Sequence, residues 1–265
     1  MKAASFELDS PGSLDAAVQR LSVGGASVLA GSQSLGPMLN LRLAQPPALL
    51  DIASLPELRG YAMTDDGLLI GAGVTHAEIE DGLLPDVTAG ILPDVAAGIA
   101  YRAVRNRGTI GGSLAHADPA ADWVSCLTAI DAQVLLRSAR GLRWMQVRQF
   151  VTGAFSTARA EDELVVAVRV PHVQQGSRFG YCKTCRKTGE LARAIGAVYQ
   201  AAGSAWMRVV MGATDGRPVV LDHQGVPGDD DLFAALVMQA PSIDEIDRGV
   251  HVEMVRRALR LSEVK

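Results

Sequence analysis

The sequence predicts an α+β chain in two parts, a larger mixed region followed by a smaller one built around a short antiparallel sheet. Two observations carry that prediction. Apolar residues recur at helical spacing in some stretches and as short continuous runs in others. Clusters of glycine, proline and serine separate the two kinds of stretch. Pro11-Gly12 makes the first turn, and Ser13 caps a helix on which Leu14, Ala17, Val18 and Leu21 share a face. The apolar runs 26–30 and 48–52 read as strands and complete a βαβ-like start. Residues 67–73 form another strand, and Thr75 with Glu78 has the spacing of a capping box that opens a short helix. A helix is expected over 95–101, and Pro119 suits the first turn of another that runs through Trp123 to Ile130. Strands follow at 133–137 and 164–170, and Pro171 and Gly176 mark a boundary. Beyond it, strands 195–202 and 206–211 pair around Gly203-Ser204, and Val252, Val255 and Leu259 mark a closing helix.

Composition narrows the function classes. A chain of 265 residues, 48% hydrophobic and 20% charged, is that of an ordinary globular protein long enough for two or three small cores. A net charge of −4 gives no support to nucleic-acid binding. No apolar run reaches membrane-spanning length. The N-terminal residues carry an early acid, Glu7, and no apolar core of the signal-peptide kind. With three cysteines and no disulfide framework, a reducing cytoplasm is the expected compartment.

The chemistry concentrates in two glycine-containing segments. The longer, residues 105–122, holds Gly108, Gly111 and Gly112 together with Thr109, Ser113, Asp118 and Asp122. Read as a loop, it suits a site where successive backbone N–H groups cradle a phosphate or pyrophosphate, with Thr109 and Ser113 adding hydroxyl donors. The plainer alternative is a glycine-rich turn between strands. The shorter segment, Ala30, Gly31, Ser32, Gln33, Ser34, Leu35, Gly36 and Pro37, follows a strand directly. It has neither dinucleotide-fingerprint spacing nor a Gly-Lys-Ser/Thr ending. Two such segments together suit a ligand with an extended phosphate region.

The pair resembles the FAD-binding medium subunit of the molybdenum hydroxylases, the xanthine dehydrogenase and carbon monoxide dehydrogenase family. That family has Ala-Gly-Gly-Gln-Ser-Leu, then Arg-Asn-X-Gly-Thr-Ile-Gly-Gly, then Ala-Asp-Pro-X-X-Asp. Here the runs begin at Ala30, Arg105 and Ala117, and the first departs at Ser32, where glycine is usual. Serine can present its N–H there provided the position does not need φ > 0. The resemblance implies a two-part FAD-binding domain of the vanillyl-alcohol-oxidase (PCMH) type over 1–170, divided at about 56/57. A small α+β C-terminal domain over 171–265 follows. It also implies that Ala30, Gly31, Ser32, Gln33, Ser34 and Leu35, with Thr109, Ile110, Gly111, Gly112 and Ser113, surround the FAD pyrophosphate, with Ile110 touching the ring. Asp122 would contact ribityl or ribose hydroxyls. Tyr181, in a segment resembling the family's aromatic-x-Lys run, would pack on the ring, and Lys183 would reach the flavin region.

The same resemblance implies a division of labour. Substrate is hydroxylated at a molybdopterin cofactor in a large subunit, and electrons pass through two [2Fe–2S] clusters in a small subunit to FAD in the medium subunit. An external acceptor then takes them, and the whole is a dimer of heterotrimers. No side chain of this chain is expected to act as a catalytic acid or base, and none to bind metal. Tyr101-Arg-Ala-Val104 is closer to versions found with N-heteroaromatic hydroxylases than to those of carbon monoxide oxidation. A stand-alone flavin oxidase and an assembly subunit with a decayed nucleotide site are the alternatives. Cys182 and Cys185 have C-x-x-C spacing but lack the further ligands of a tetrahedral site. Cys126 reads as core, His76 as a first-turn helix residue, Asp118 as a turn residue and His116 as a polar loop residue.

Overall fold

The computed structural model describes residues 2–263. The chain opens with β1 (Glu7–Asp9), α1 (Leu14–Ser22), β2 (Ala26–Leu29), α2 (Leu35–Asn40) and β3 (Ala48–Asp51). These strands form a parallel sheet in the order β1-β3-β2, the topology a βαβ start requires. Ser13 caps α1, its side chain accepting from the Ala16 N–H. Leu14, Ala17, Val18 and Leu21 are buried with Leu50, Ile52, Leu55 and Leu58 and with Leu164 and Val166 from much later in the chain.

The middle region runs β4 (Tyr61–Thr64), β5 (Gly67–Gly71), α3 (His76–Glu80), α4 (Ile91–Ala97), α5 (Arg102–Arg105), α6 (Ile110–His116), α7 (Asp122–Ala129), β6 (Gln133–Ser138), β7 (Gly141–Gln146), α8 (Val147–Phe150), β8 (Val151–Gly153), β9 (Ser156–Thr157) and β10 (Leu164–Pro171). Its main sheet is five-stranded and antiparallel, in the order β4-β5-β10-β6-β7. The remainder comprises β11 (Arg178–Cys185), β12 (Ala192–Gln200), β13 (Trp206–Gly212), β14 (Val219–Gln224), α9 (Asp229–Gln239) and α10 (Glu245–Ser262). The four strands form an antiparallel meander, with α9 and α10 packed on it.

The largest core crosses Pro171: Ala197 of β12 and Val210 of β13 belong to the same cluster as Ile70, Leu114, Trp123 and Val168. Helix α7 lies within it, and every one of its residues is buried. A helix this short is held by tertiary packing, not by its own propensity. Among the described residues, no helix is long and apolar enough to cross a membrane.

Three expected elements differ. The helix placed over 95–101 is α4, which ends at Ala97; Gly98 caps it, Ala100 turns at φ 43°, and Tyr101 is the extended N-cap of α5. Pro119 lies outside α7, in a turn that Asp118 closes by accepting the Ala120 N–H. The middle of the glycine-rich segment, Ile110–His116, is helix α6, not a loop.

Candidate functional site

The shorter glycine segment leaves β2 as an open turn. Ser32 sits at φ 62°, the left-handed region where a side chain is disfavoured. The position therefore does take the conformation that glycine adopts freely. The turn closes by the Gly36 N–H donating to the Ser32 carbonyl at 3.1 Å, and Gln33 Nε2 donates to the Gly31 carbonyl at 3.1 Å. The N–H groups of Gly31, Ser32, Gln33 and Ser34 have no acceptor among the described residues. Unpaired donors at a left-handed turn make a surface suited to an anion. Ala30 and Leu35, at its two ends, are half-buried.

The longer segment is built differently. Thr109 caps α6, its hydroxyl accepting from the Gly112 N–H at 3.1 Å. The Ile110 and Gly111 N–H groups donate to the Val74 and Ala72 carbonyls, both at 3.0 Å, and the Ser113 N–H to the Thr109 carbonyl. The expected row of free donors is absent because this first turn docks antiparallel on residues 72–75 and is capped from within. Thr109 itself keeps an N–H with no acceptor among the described residues, since in its bridge with Thr75 the bonds fall to the flanking residues. Ile110 has no accessible surface, which removes the expected contact between its side chain and a ring. Gly111 is buried and Ser113 half-buried.

The two segments meet where side chains are missing. A Cβ on Gly31 would lie 2.0 Å from the Arg107 carbonyl oxygen and 2.9 Å from Gly108 Cα. A Cβ on Gly112 would point at the Thr109 hydroxyl, with Ala30 Cβ at 3.9 Å. One on Gly111 would face the core instead, 2.3 Å from Ala72 Cβ and 2.8 Å from its Cα. The two glycines should therefore separate by assay. Gly111→Ala should lower thermal stability by about 1–3 kcal/mol through overpacking. Gly112→Ala should cost little in the same melt: displacing the Thr109 hydroxyl weakens the α6 cap by about 1 kcal/mol, and replacing a helical glycine with alanine returns a similar amount. Equal destabilisation would refute this assignment.

Asp122, Tyr181 and Lys183 do converge. Residues i and i+2 of β11 share a face, which puts the last two side by side. Tyr181 Oη donates to Asp122 Oδ1 at 2.7 Å, and Lys183 Nζ donates to the same oxygen at 2.6 Å and to the Gly98 carbonyl at 2.8 Å. Asp122 is the first residue of α7 and is buried. Burial, reinforced by the Asp122 charge, pushes the Tyr181 phenol well above its ordinary value and keeps it a donor. The cluster also ties β11 to the turn that follows α4.

His76 stands at the first position of α3, as its sequence context implies, yet it is buried. Its Nδ1 accepts from the Trp123 indole N–H at 3.0 Å, and its backbone N–H donates to the Gly108 carbonyl at 2.9 Å. Burial, aided by Arg105, lowers its pKa to about 4, so the imidazole is neutral near pH 7. Nothing in the sequence marked this residue beyond the capping box beside it, because its partners lie far along the chain. His116, expected in a loop, ends α6 and packs on Phe155 with ring centroids 5.1 Å apart. Cys126 is fully buried, and burial raises its thiol pKa. Cys182 and Cys185 are free thiols, and among the described residues no group of side chains is arranged to hold a metal ion.

Comparison with known proteins identifies the family. Residues 4–173 match the family described as the FAD binding domain in molybdopterin dehydrogenase. The chain is 35% identical to the carbon monoxide dehydrogenase medium chain of Hydrogenophaga pseudoflava, over 83% of this chain and 78% of that one. It is 34% identical to the nicotine 6-hydroxylase medium subunit of Paenarthrobacter nicotinovorans, over 88% and 81% respectively. A solved carbon monoxide dehydrogenase from Hydrogenophaga pseudoflava superposes with a TM-score of 0.89 at 29% identity, covering 100% of this chain and 99% of that one. The motifs, the α+β fold and these matches place the chain in one family: it belongs to the FAD-binding medium subunits of the molybdenum hydroxylases.

Proposed function

We propose that this chain is the electron outlet of a molybdenum-dependent dehydrogenase complex, holding FAD between the 30–35 turn and the start of α6. The observation that carries this reading is the run of unpaired N–H groups from Gly31 to Ser34, beside a backbone contact that only glycine allows. Such a cradle fits a pyrophosphate. Gly31, Ser32, Gln33 and Ser34 would supply donors along it, flanked by Ala30 and Leu35. Thr109 would add its N–H, and Gly112 and Ser113 would border the opposite side. Lys183 and Tyr181, oriented by Asp122, would face the flavin end. Bound FAD supplies the redox chemistry, taking up electrons and releasing them to an acceptor. The protein's part is to bind and orient it.

In this reading a large molybdopterin subunit and a small [2Fe–2S] subunit complete a heterotrimer that pairs into a dimer, in the cytoplasm, where the three free cysteines stay reduced. A nitrogen-heteroaromatic substrate for the whole complex draws on residues 101–104 and on the likeness to nicotine 6-hydroxylase. Substrate choice would lie in the large subunit, so turnover of the purified complex with a pyridine against carbon monoxide decides it.

The function itself is tested by purifying the chain with its bound subunits. We expect stoichiometric, non-covalent FAD released by denaturation, together with iron–sulfur absorbance. A folded complex with no flavin would overturn the outlet role in favour of an assembly subunit. Flavin with no partner subunits would favour a stand-alone oxidase.

A further inference from the structure

The two halves of the candidate site, the glycine seam and the Asp122 cluster, come from separate parts of the chain. The buried His76 side chain links them. On one side, the His76 backbone N–H holds the Gly108 carbonyl at 2.9 Å, and the ring edge lies where a side chain on Gly108 would be, 2.8 Å from Nε2 to that Cβ position. Gly108 is in turn the backbone against which Gly31 packs. On the other side, Nδ1 receives the Trp123 indole N–H, and Trp123 directly follows Asp122 on α7. The order through the protein is thus Gly31, Gly108, His76, Trp123, Asp122, with Lys183 and Tyr181 at the far end.

We propose that His76 is a positioning residue for the cofactor site, its imidazole fixing the seam that holds the pyrophosphate against the helix that orients Lys183. The inference rests on the FAD reading above. The hydrogen bond is buried at both ends: Trp123 has no accessible surface, so its N–H has no water to turn to if the acceptor is removed. The neutral imidazole is the form that can accept at Nδ1, and the indole donation selects the tautomer with its proton on Nε2. Loss of the acceptor leaves α7 free to shift relative to Gly108, and a shift of that kind separates the two ends of one ligand.

The test uses the full chain in its assembled complex. His76→Leu keeps bulk and removes the acceptor, whereas His76→Asn places an amide oxygen near the position of Nδ1. We expect the Leu variant to bind FAD about tenfold more weakly and the Asn variant to stay within about threefold of wild type. Trp123→Phe removes the donor with His76 in place and should reproduce the Leu effect, with no further loss in the double variant. This second variant also serves if His76→Leu fails to fold. FAD bound equally by wild type and His76→Leu, or as weakly by Asn as by Leu, overturns the proposal alone. Absence of FAD from the wild-type complex would instead overturn the functional reading, and this proposal with it.

Discussion

Gly31→Val is expected to yield a folded complex that no longer retains FAD. The new Cβ would stand 2.0 Å from the Arg107 carbonyl oxygen and 2.7 Å from its carbonyl carbon, contacts that side chains do not make. Both atoms are backbone, and that backbone is fixed. The Gly108 N–H donates to the Val104 carbonyl at 2.7 Å, and the Gly108 carbonyl accepts from His76. The turn must therefore be the part that moves, and it carries the unpaired N–H groups. The cost to folding should stay near 1–3 kcal/mol, as for other overpacked sites, because the turn is only half-buried. Ser32→Gly makes the matching control. It relieves a non-glycine residue at φ 62°, worth about 1–2 kcal/mol, and should keep FAD in full. Flavin absorbance per chain and a thermal melt read both variants. Wild-type flavin content in Gly31→Val would remove the seam from the site.

The second large effect is expected from Asp122→Ala. The Asp122 and Lys183 side chains are 8% and 16% exposed, and their atoms lie 2.6 Å apart. Removing one partner of a buried pair typically costs about 3–5 kcal/mol, because the other charge stays behind. For a chain of this size that is a fall in melting temperature of roughly 10 °C. The ammonium would keep only the Gly98 carbonyl, and Tyr181 Oη would lose its acceptor. Adding Lys183→Met to Asp122→Ala should recover part of the loss, since no unpaired ammonium then remains. If the double variant melts below Asp122→Ala, Lys183 contributes through packing and the charge argument is wrong. FAD content, measured on the same samples, reports whether the cluster also serves the cofactor.

Motif residues were legible where the information is local. Ser13 and the Thr75–Glu78 capping box appear in the structure as the spacing implies, with the Thr75 N–H and hydroxyl both bonded to Glu78. Strands with continuous apolar runs, such as β3 and β10, also stand where expected. By sequence the glycine-rich segment reads as a loop, because Gly111 and Gly112 weigh against a helix by propensity. Docking on residues 72–75 outweighs that preference, and the Thr109 cap satisfies the remaining donor. Asp122 was recognisable by motif, but its hydrogen bonds to Tyr181 and Lys183 span residues far apart in the chain.

The family, the α+β class and the identity of the glycine-bearing segments were all contained in the amino-acid order, because each depends on residue type at short spacing. Which N–H groups remain free did not depend on that order alone. Ile110 and Gly111 donate to Val74 and Ala72, while Gly31 to Ser34 find no acceptor among the described residues, and that difference arises only once distant segments pack. The role of His76 belongs to the same category. A histidine is polar anywhere in a sequence, and only the fold buries it between Gly108 and Trp123, where desolvation keeps it neutral and its one acceptor has a single partner.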